Sequence, residues 1–249
     1  MHTTFEVDTW RVCFLRAMLT VVAAAALLAV TFASTPVQLS YPGSARSERD
    51  LPLCAANAVC SVLHRRFWGA QPLLERFCRC PGRLECPSAW TMDPLRDNQS
   101  MQLNNRSQLK FCNDVKSLGK CKSTQVALNV TTRSTPPDRL TQTAASVSTV
   151  STANCFCPPW PAPRHWKHVR TSKRRFFNGT LDVADTYSCA KLPRCEEGEA
   201  CGVVRQDLFS IYFKCSCLRG RICYSTAHAS PTNKSEVLFE GPVYEAHCL

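Results

Sequence analysis

Residues 195–248 read CEEGEACGVVRQDLFSIYFKCSCLRGRICYSTAHASPTNKSEVLFEGPVYEAHC, which spaces the cysteines as Cys195-x5-Cys201-x13-Cys215-x-Cys217-x5-Cys223-x24-Cys248. Residues 54–112 repeat that order as Cys54-x5-Cys60-x17-Cys78-x-Cys80-x5-Cys86-x25-Cys112. Four of the five gaps agree to within a residue, and only the second changes. Spacing is kept in this way when crosslinks fix which strands lie side by side, so a duplicated disulfide module is implied. The chain has 17 cysteines in 249 residues, far above ordinary usage, and disulfides persist in oxidising compartments. Zinc is the rival use of dense cysteines, but its sites favour C-x2-C pairs. The close pairs here are all C-x-C, at 78/80, 155/157 and 215/217, and no metal or cofactor is expected.

Between the two modules lie Cys121, Cys155, Cys157 and Cys189. The pair 155/157 matches the third and fourth cysteines of the flanks, and Cys189 matches the sixth. The chain therefore reads as modules of six, four and six cysteines, all in disulfides, with Cys13 left over near the N-terminus. The middle module lacks the fifth cysteine and one of the first two. Losing both partners of one bond leaves no stray thiol, so the fifth is expected to bond to the missing one. Cys121, in Gly119-Lys120-Cys121-Lys122-Ser123, resembles the setting of Cys60 and Cys201 more than that of Cys54 and Cys195. The expected bonds are then Cys54–Cys86 and Cys195–Cys223.

The N-terminus agrees with an oxidising compartment. Arg11 and Arg16 precede the apolar run from Ala17 to Ala33, which ends in Thr31-Phe32-Ala33. This reads as a signal peptide over 1–33, cleaved after Ala33. An uncleaved type II anchor is the alternative, at the short end of the roughly 17–25 residues that span a bilayer. N-glycosylation is expected at five N-x-S/T sequons: Asn98, Asn105, Asn129, Asn178 and Asn233. The formal charge is +11, and it survives signal removal because Arg11 and Arg16 offset Glu6 and Asp8. A basic secreted surface favours acidic proteins or sulfated glycans and makes nucleic acid a poor partner.

An all-β fold of three small disulfide-stapled modules in tandem is expected. Residues 34–50 form a flexible leader, 51–114 the first module, 115–191 a degenerate second and 192–249 the third. Strand signals surround the cysteines. Leu208–Cys217 is rich in aromatic and β-favouring residues, and Gln108–Cys112 alternates as a half-buried strand should. The matching stretch Leu73–Cys80 is less decisive and has helical character at its start. In a C-x-C strand both sulfurs project on one face, so each can reach a different neighbour. The insert 123–153 is rich in Ser and Thr and lacks cysteine. Its composition predicts a disordered, O-glycosylatable loop; a flexible joint between the flanking modules is the functional alternative.

The catalytic motifs sought, G-x-S-x-G, H-E-x-x-H and a phosphate-binding G-K-S/T loop, are absent from the sequence. With the cysteines committed to disulfides, no thiol nucleophile stands out, and the chain is expected not to be an enzyme. His165 and His168 are three apart without an acid close in sequence, a weak metal pattern. The sharpest local feature is the run from 164 to 175, whose six cations are Arg164, Lys167, Arg170, Lys173, Arg174 and Arg175. Guanidinium and ammonium groups suit sulfates and carboxylates. Heparan-sulfate binding, processing after Lys173-Arg174-Arg175, and a merely solvated loop are the three readings. Trp68, Trp90, Tyr212 and Phe213 bracket C-x-C pairs, and core packing is their default role.

Three consecutive β modules, each centred on C-x-C, resemble two groups of secreted arthropod proteins. One is the scoloptoxin-11 type. The other is the giant-lens type, which sequesters an epidermal-growth-factor-like ligand with three related disulfide domains. The resemblance covers Cys54 to Cys248 and implies a secreted, monomeric, non-enzymatic binding glycoprotein. Its partner would be an extracellular protein ligand or receptor, which it would sequester as an antagonist or carrier. The alternatives are a toxin-like modulator of an ion channel or receptor, and a matrix component held by a sulfated glycosaminoglycan.

Overall fold

A computed structural model describes residues 36–249 except 68, 94–95, 138–143, 159–163 and 226–229. The expected signal peptide, Cys13 and Trp68 lie outside the described residues. Residues Val37–Leu249 form one compact unit. It is built almost entirely of strands, in three sheets.

The first sheet contains β1 (Gln38–Ser40), β2 (Val59–His64), β3 (Leu73–Arg76), β4 (Ser100–Asn104) and β5 (Ser107–Phe111), in the order β1-β3-β2-β5-β4. The second contains β6 (Val126–Thr135), β7 (Ser146–Ala153), β8 (Arg164–Arg175) and β9 (Leu181–Lys191), in the order β7-β6-β9-β8. The third contains β10 (Ala200–Arg205), β11 (Ile211–Phe213), β12 (Cys223–Tyr224), β13 (Thr232–Glu236) and β14 (Phe239–Cys248). Its order is β11-β10-β14-β12, with β13 also paired to β14.

The three sheets share one register. In each, a central strand (β2, β6 or β10) carries a bulge, skipping Cys60, Ala127 or Cys201. The next residue then meets two partners. Ser61 faces Arg76 and Lys110; Leu128 faces Ala153 and Tyr187; Gly202 faces Phe213 and Ala246. Each partner stands two residues before a cysteine: the first of a C-x-C pair on one side, the sixth of the module on the other. Ala127 thus occupies the place of the second cysteine, six residues after Cys121 as Cys60 and Cys201 are six after Cys54 and Cys195. It is fully buried. The position six residues past Cys157, where a fifth cysteine would fall, is Pro163.

This register corrects the expected pairing. The bonds are Cys54–Cys78, Cys60–Cys86 and Cys80–Cys112 in the first module. The middle module has Cys121–Cys155 and Cys157–Cys189. The last repeats the first, with Cys195–Cys215, Cys201–Cys223 and Cys217–Cys248. The fifth cysteine does bond to the one that the middle module lacks. That one is the second and not the first, so Cys54–Cys86 and Cys195–Cys223 do not form. The physical reason is a backbone clasp. The middle residue of each C-x-C pairs in parallel with the residue before the first cysteine: Arg79 with Leu53, Phe156 with Lys120, Ser216 with Arg194. The amides of Cys54, Cys121 and Cys195 donate to the carbonyls of Arg79, Phe156 and Ser216 at 2.8, 2.9 and 3.0 Å. The first cysteine therefore lies beside the third.

Four other expectations change. The Ser/Thr-rich insert contributes two long strands, because its β-branched Val and Thr residues suit a pleated surface. β6 and β7 pair from Leu128/Ala153 to Thr135/Ser146, which replaces the disordered loop and the flexible joint over these stretches; residues 138–143 of the insert lie outside the described residues. The leader is docked: β1 runs parallel to β3, and Glu48 accepts two hydrogen bonds from buried Arg76 at 2.8 and 2.9 Å. The stretch from Leu73 begins as strand β3, without a helix. β5 is a strand as expected but is covered on both faces. Lys110, placed outward by alternation, is fully buried. Its ammonium donates to Ser100 Oγ at 2.7 Å and Gln108 Oε1 at 3.0 Å, with Asp97 at 3.9 Å. Burial pulls its pKa down to about 8, because removing the ion from water disfavours the charged form.

One apolar core joins all three sheets. Val62, Met101 and Phe111 of the first pack with Leu128, Val130 and Tyr187 of the second and Val203, Tyr212 and Val237 of the third region. Backbone and side-chain contacts reinforce it. Ala153 N–H donates to Asn57 O at 3.0 Å, and Ala58 bridges Thr152.

Peptide mapping under non-reducing conditions is expected to recover Cys60–Cys86 and Cys201–Cys223, and a Cys54–Cys86 peptide would contradict the register. The middle module folds without a second–fifth bond. Replacing both Cys201 and Cys223 by Ala should therefore leave a folded protein, less stable by about 2–5 kcal/mol.

Candidate functional site

A cleft of about 480 Å³ opens where the three sheets meet. β4 supplies Gln102–Asn104 and its turn supplies Asn105. β8 supplies Arg164–His168, β11 supplies Ile211–Phe213, and β13 supplies Ser235 and Glu236, with Lys214 beside β11. Three contacts hold these walls together. Trp166 Nε1–H donates to Gln102 O at 3.2 Å, Ile211 N–H donates to Asn105 Oδ1 at 2.8 Å, and Cys157 N–H donates to Met101 Sδ at 3.3 Å. The surface is apolar at Leu103, Trp166, Ile211 and Phe213 and basic at Arg164, Lys167 and Lys214. Glu236 is the one carboxylate among the described lining residues. Three buried polar atoms in this wall, Asn104 Nδ2, Arg164 Nε and His165 Nδ1, lack a hydrogen-bond partner.

Glu236 and His165 of the cleft are shifted towards their neutral forms. Burial raises the Glu236 carboxyl, against the smaller pull of Lys214 and Lys234. Burial, and next the charge of Lys167, lowers His165. Tyr212 is buried and donates its hydroxyl to Val237 O at 3.0 Å, so it is a core residue, and burial raises its pKa.

The structure splits the basic run rather than gathering it. β8 is an edge strand of its sheet, not a loop. Paired side chains share a face, so its register against β9 assigns each cation. Lys167, Arg170 and Arg174 share the face of Ser188, Thr186 and Asp182. Arg164, Lys173 and Arg175 share the opposite face with Lys191, Val183 and Leu181. His165 and His168 fall on opposite faces, opposite Ala190 and Tyr187, which removes them as joint metal ligands. His168 Nε2 instead sits 3.2 Å from Asp185, an acid distant in sequence but adjacent across the ladder. Lys173-Arg174-Arg175 is held in strand pairing, and the sequon at Asn178 follows three residues later in the β8–β9 turn.

Of the sequons, Asn98, Asn105, Asn178 and Asn233 are exposed. Asn129 is part-exposed on β6 and lies opposite Thr186, on the face of Arg170. Trp90 is half-buried with Arg65 over its ring. Sequence reasoning missed Glu236, Lys214, Gln102 and Asn105 as cleft partners. Gln102 and Asn105 lie more than 100 residues from Lys214 and Glu236, and no local pattern links the two pairs.

The chain is similar to U-scoloptoxin(11)-Sm7a from Scolopendra morsitans. The two are 25% identical over 183 residues, spanning 71% of this chain and 73% of the relative. Among solved structures, unliganded Argos matches 86% of this chain and 98% of its own, at 24% identity and a TM-score of 0.48. No family model matches. The two matches fall on the two groups that the cysteine spacing resembles. Among the described residues, no helix is long and apolar enough to cross a membrane.

Glu236 yields a pH prediction. A carboxyl whose folded pKa lies above its unfolded value contributes stability at low pH. That stability is lost as pH rises through the folded pKa. Replacing Glu236 with Gln should leave the thermal midpoint nearly unchanged at pH 4 and raise it by about 2–4 °C at pH 7, the scale of 1 kcal/mol in a chain of this size. Equal midpoint differences at the two pH values would contradict burial of this carboxyl.

Proposed function

We propose that this chain is a secreted, non-enzymatic binding glycoprotein that holds an extracellular protein ligand at the three-sheet cleft, acting as an antagonist or carrier. The observation that carries the reading is the cleft itself: each of the three sheets contributes a wall, and one core fixes those walls. Half-buried Phe213, Ile211 and Trp166, lining the same cleft as exposed Lys167 and Lys214 and half-buried Arg164, suit an acidic loop bearing an apolar side chain. Central apolar anchors inside a polar rim are the usual anatomy of a protein interface. A preformed cleft also avoids the ordering cost that a hinged clamp would meet on closing. Eight disulfides support an oxidising, extracellular setting.

A toxin-like modulator of a channel or receptor is the second reading, favoured by the scoloptoxin relative. The test is crosslinking capture on live cells and in conditioned medium, with the secreted protein as bait. A double variant with Phe213 changed to Ser and Lys214 to Glu serves as control. The expected result is a soluble acidic protein whose capture falls at least about tenfold with the variant, the scale of one lost interface hot spot. A channel or receptor ectodomain would put the second reading first. Capture indifferent to the variant would remove the cleft as the binding site.

A further inference from the structure

We propose that the open face of the four-stranded sheet, along Arg170 and Arg174, is a second binding site that takes a sulfated polysaccharide. The bulge in β8 creates it. Lys167 and Arg170 are three residues apart, a spacing that puts side chains on opposite faces of a regular strand. Between His168 and Arg170 the register against β9 shifts by one residue, and such a bulge re-aims the chain. Lys167, Arg170 and Arg174 then stand opposite Ser188, Thr186 and Asp182, in one row. At about 3.3 Å per residue the Arg170 and Arg174 backbones lie about 13 Å apart, a spacing suited to an extended polyanion with repeated charges.

The same face carries a fourth cation. Arg133 of β6 stands opposite Asp182 and binds its two carboxylate oxygens, both at 2.7 Å. That acid is thereby neutralised, and its own pKa is lowered, chiefly by the Arg133 hydrogen bond. Arg174 lies over Phe176, 4.9 Å from the ring centre, and its charge also acts on Asp182. Between the cations stand hydroxyl-bearing residues, Ser172 and Thr186, rather than a run of large apolar side chains. The Thr186 and Ser172 hydroxyls donate to the carbonyls of Arg170 and Ala184 at 3.2 and 3.5 Å, so the guanidinium forks are what this face offers to sulfate oxygens. The opposite face of the sheet is the one that enters the core, through Leu128, Val130 and Tyr187. Lys173 and Arg175 point to that side, so the run of cations is not one uniform patch. Lys167 also lines the cleft, whereas Arg170 and Arg174 do not, so variants at these two arginines leave the cleft untouched and the two readings fail independently.

The test compares two double variants of the full secreted protein that each remove two charges: R170S/R174S and K173S/R175S. Binding to heparin and to fully desulfated heparin of the same length is measured at physiological salt. We expect the R170S/R174S protein to lose about tenfold in affinity for heparin, as two lost exposed charge contacts would. The K173S/R175S protein should lose less than about threefold on the same basis, and desulfated heparin should bind neither. Equal losses in the two variants would show diffuse attraction by net charge and overturn the site. So would a wild-type protein that fails to bind at physiological salt, or equal binding to desulfated heparin. Binding to phosphatidylserine vesicles that exceeds binding to heparin would also overturn it.

Discussion

The structure depends on a clasp made three times over. In each module the segment before the first cysteine runs parallel to the C-x-C, and the middle residue of that triplet exchanges backbone hydrogen bonds with it. The two sulfurs of the triplet then reach different places. One closes onto the first cysteine beside it, and the other onto the last cysteine at the end of the third strand of the ladder. Such small sheets have little core of their own. The crosslinks hold three strand edges in register where hydrophobic burial alone would be marginal. The second–fifth bond is an addition to this clasp. The middle module omits it, keeps Ala127 buried at the bulge, and still forms the longest strands of the molecule.

Those long strands change how the modules act together. A middle module that is merely a linker would leave the flanks free to swing. Here β6, β8 and β9 deliver Leu128, Trp166 and Tyr187 into a core shared with both neighbours. The cleft is then a fixed feature, and burial raises the pKa of Glu236 and lowers that of His165 within it. The far part of the same sheet extends beyond that core and keeps one face open. One sheet therefore serves two purposes along its length. Its base builds the cleft wall, and its outer part displays the cations that a bulge has sorted onto one side.

Much of this was legible in the residues. The duplicated spacing gave three modules, the C-x-C pairs marked where strands meet, and the gap of one bond in the middle module was deducible from the cysteine count. The identity of that bond was not read correctly, because the Gly-Lys setting of Cys121 pointed to the second position. Cys121 is shown to be the first cysteine by its bond to Cys155 and by the bulge at Ala127, and neither leaves a mark in the local sequence. The Ser/Thr-rich composition of 123–153 suggested disorder, although β-branched Val and Thr dominate the paired stretches. Lys110 follows alternation but is covered on its polar side by Ser100, Gln108 and Asp97, a tertiary event with no local trace. The cleft was illegible for the same reason: its walls come from segments brought together only by the shared core. The two-faced cation run required knowledge of the bulge, which alternation alone does not reveal.

The central claim is that three disulfide modules act as one folded body, and native-state hydrogen exchange tests it most directly. The amides to follow are those of Val62 in β2, Val130 in β6 and Val203 in β10, which share the core. The account predicts that all three open with the same free energy, within about 1 kcal/mol of global unfolding, as members of one cooperative unit do. Earlier opening of Val130, with Val62 and Val203 still protected, would show an independent middle module and contradict the fused architecture.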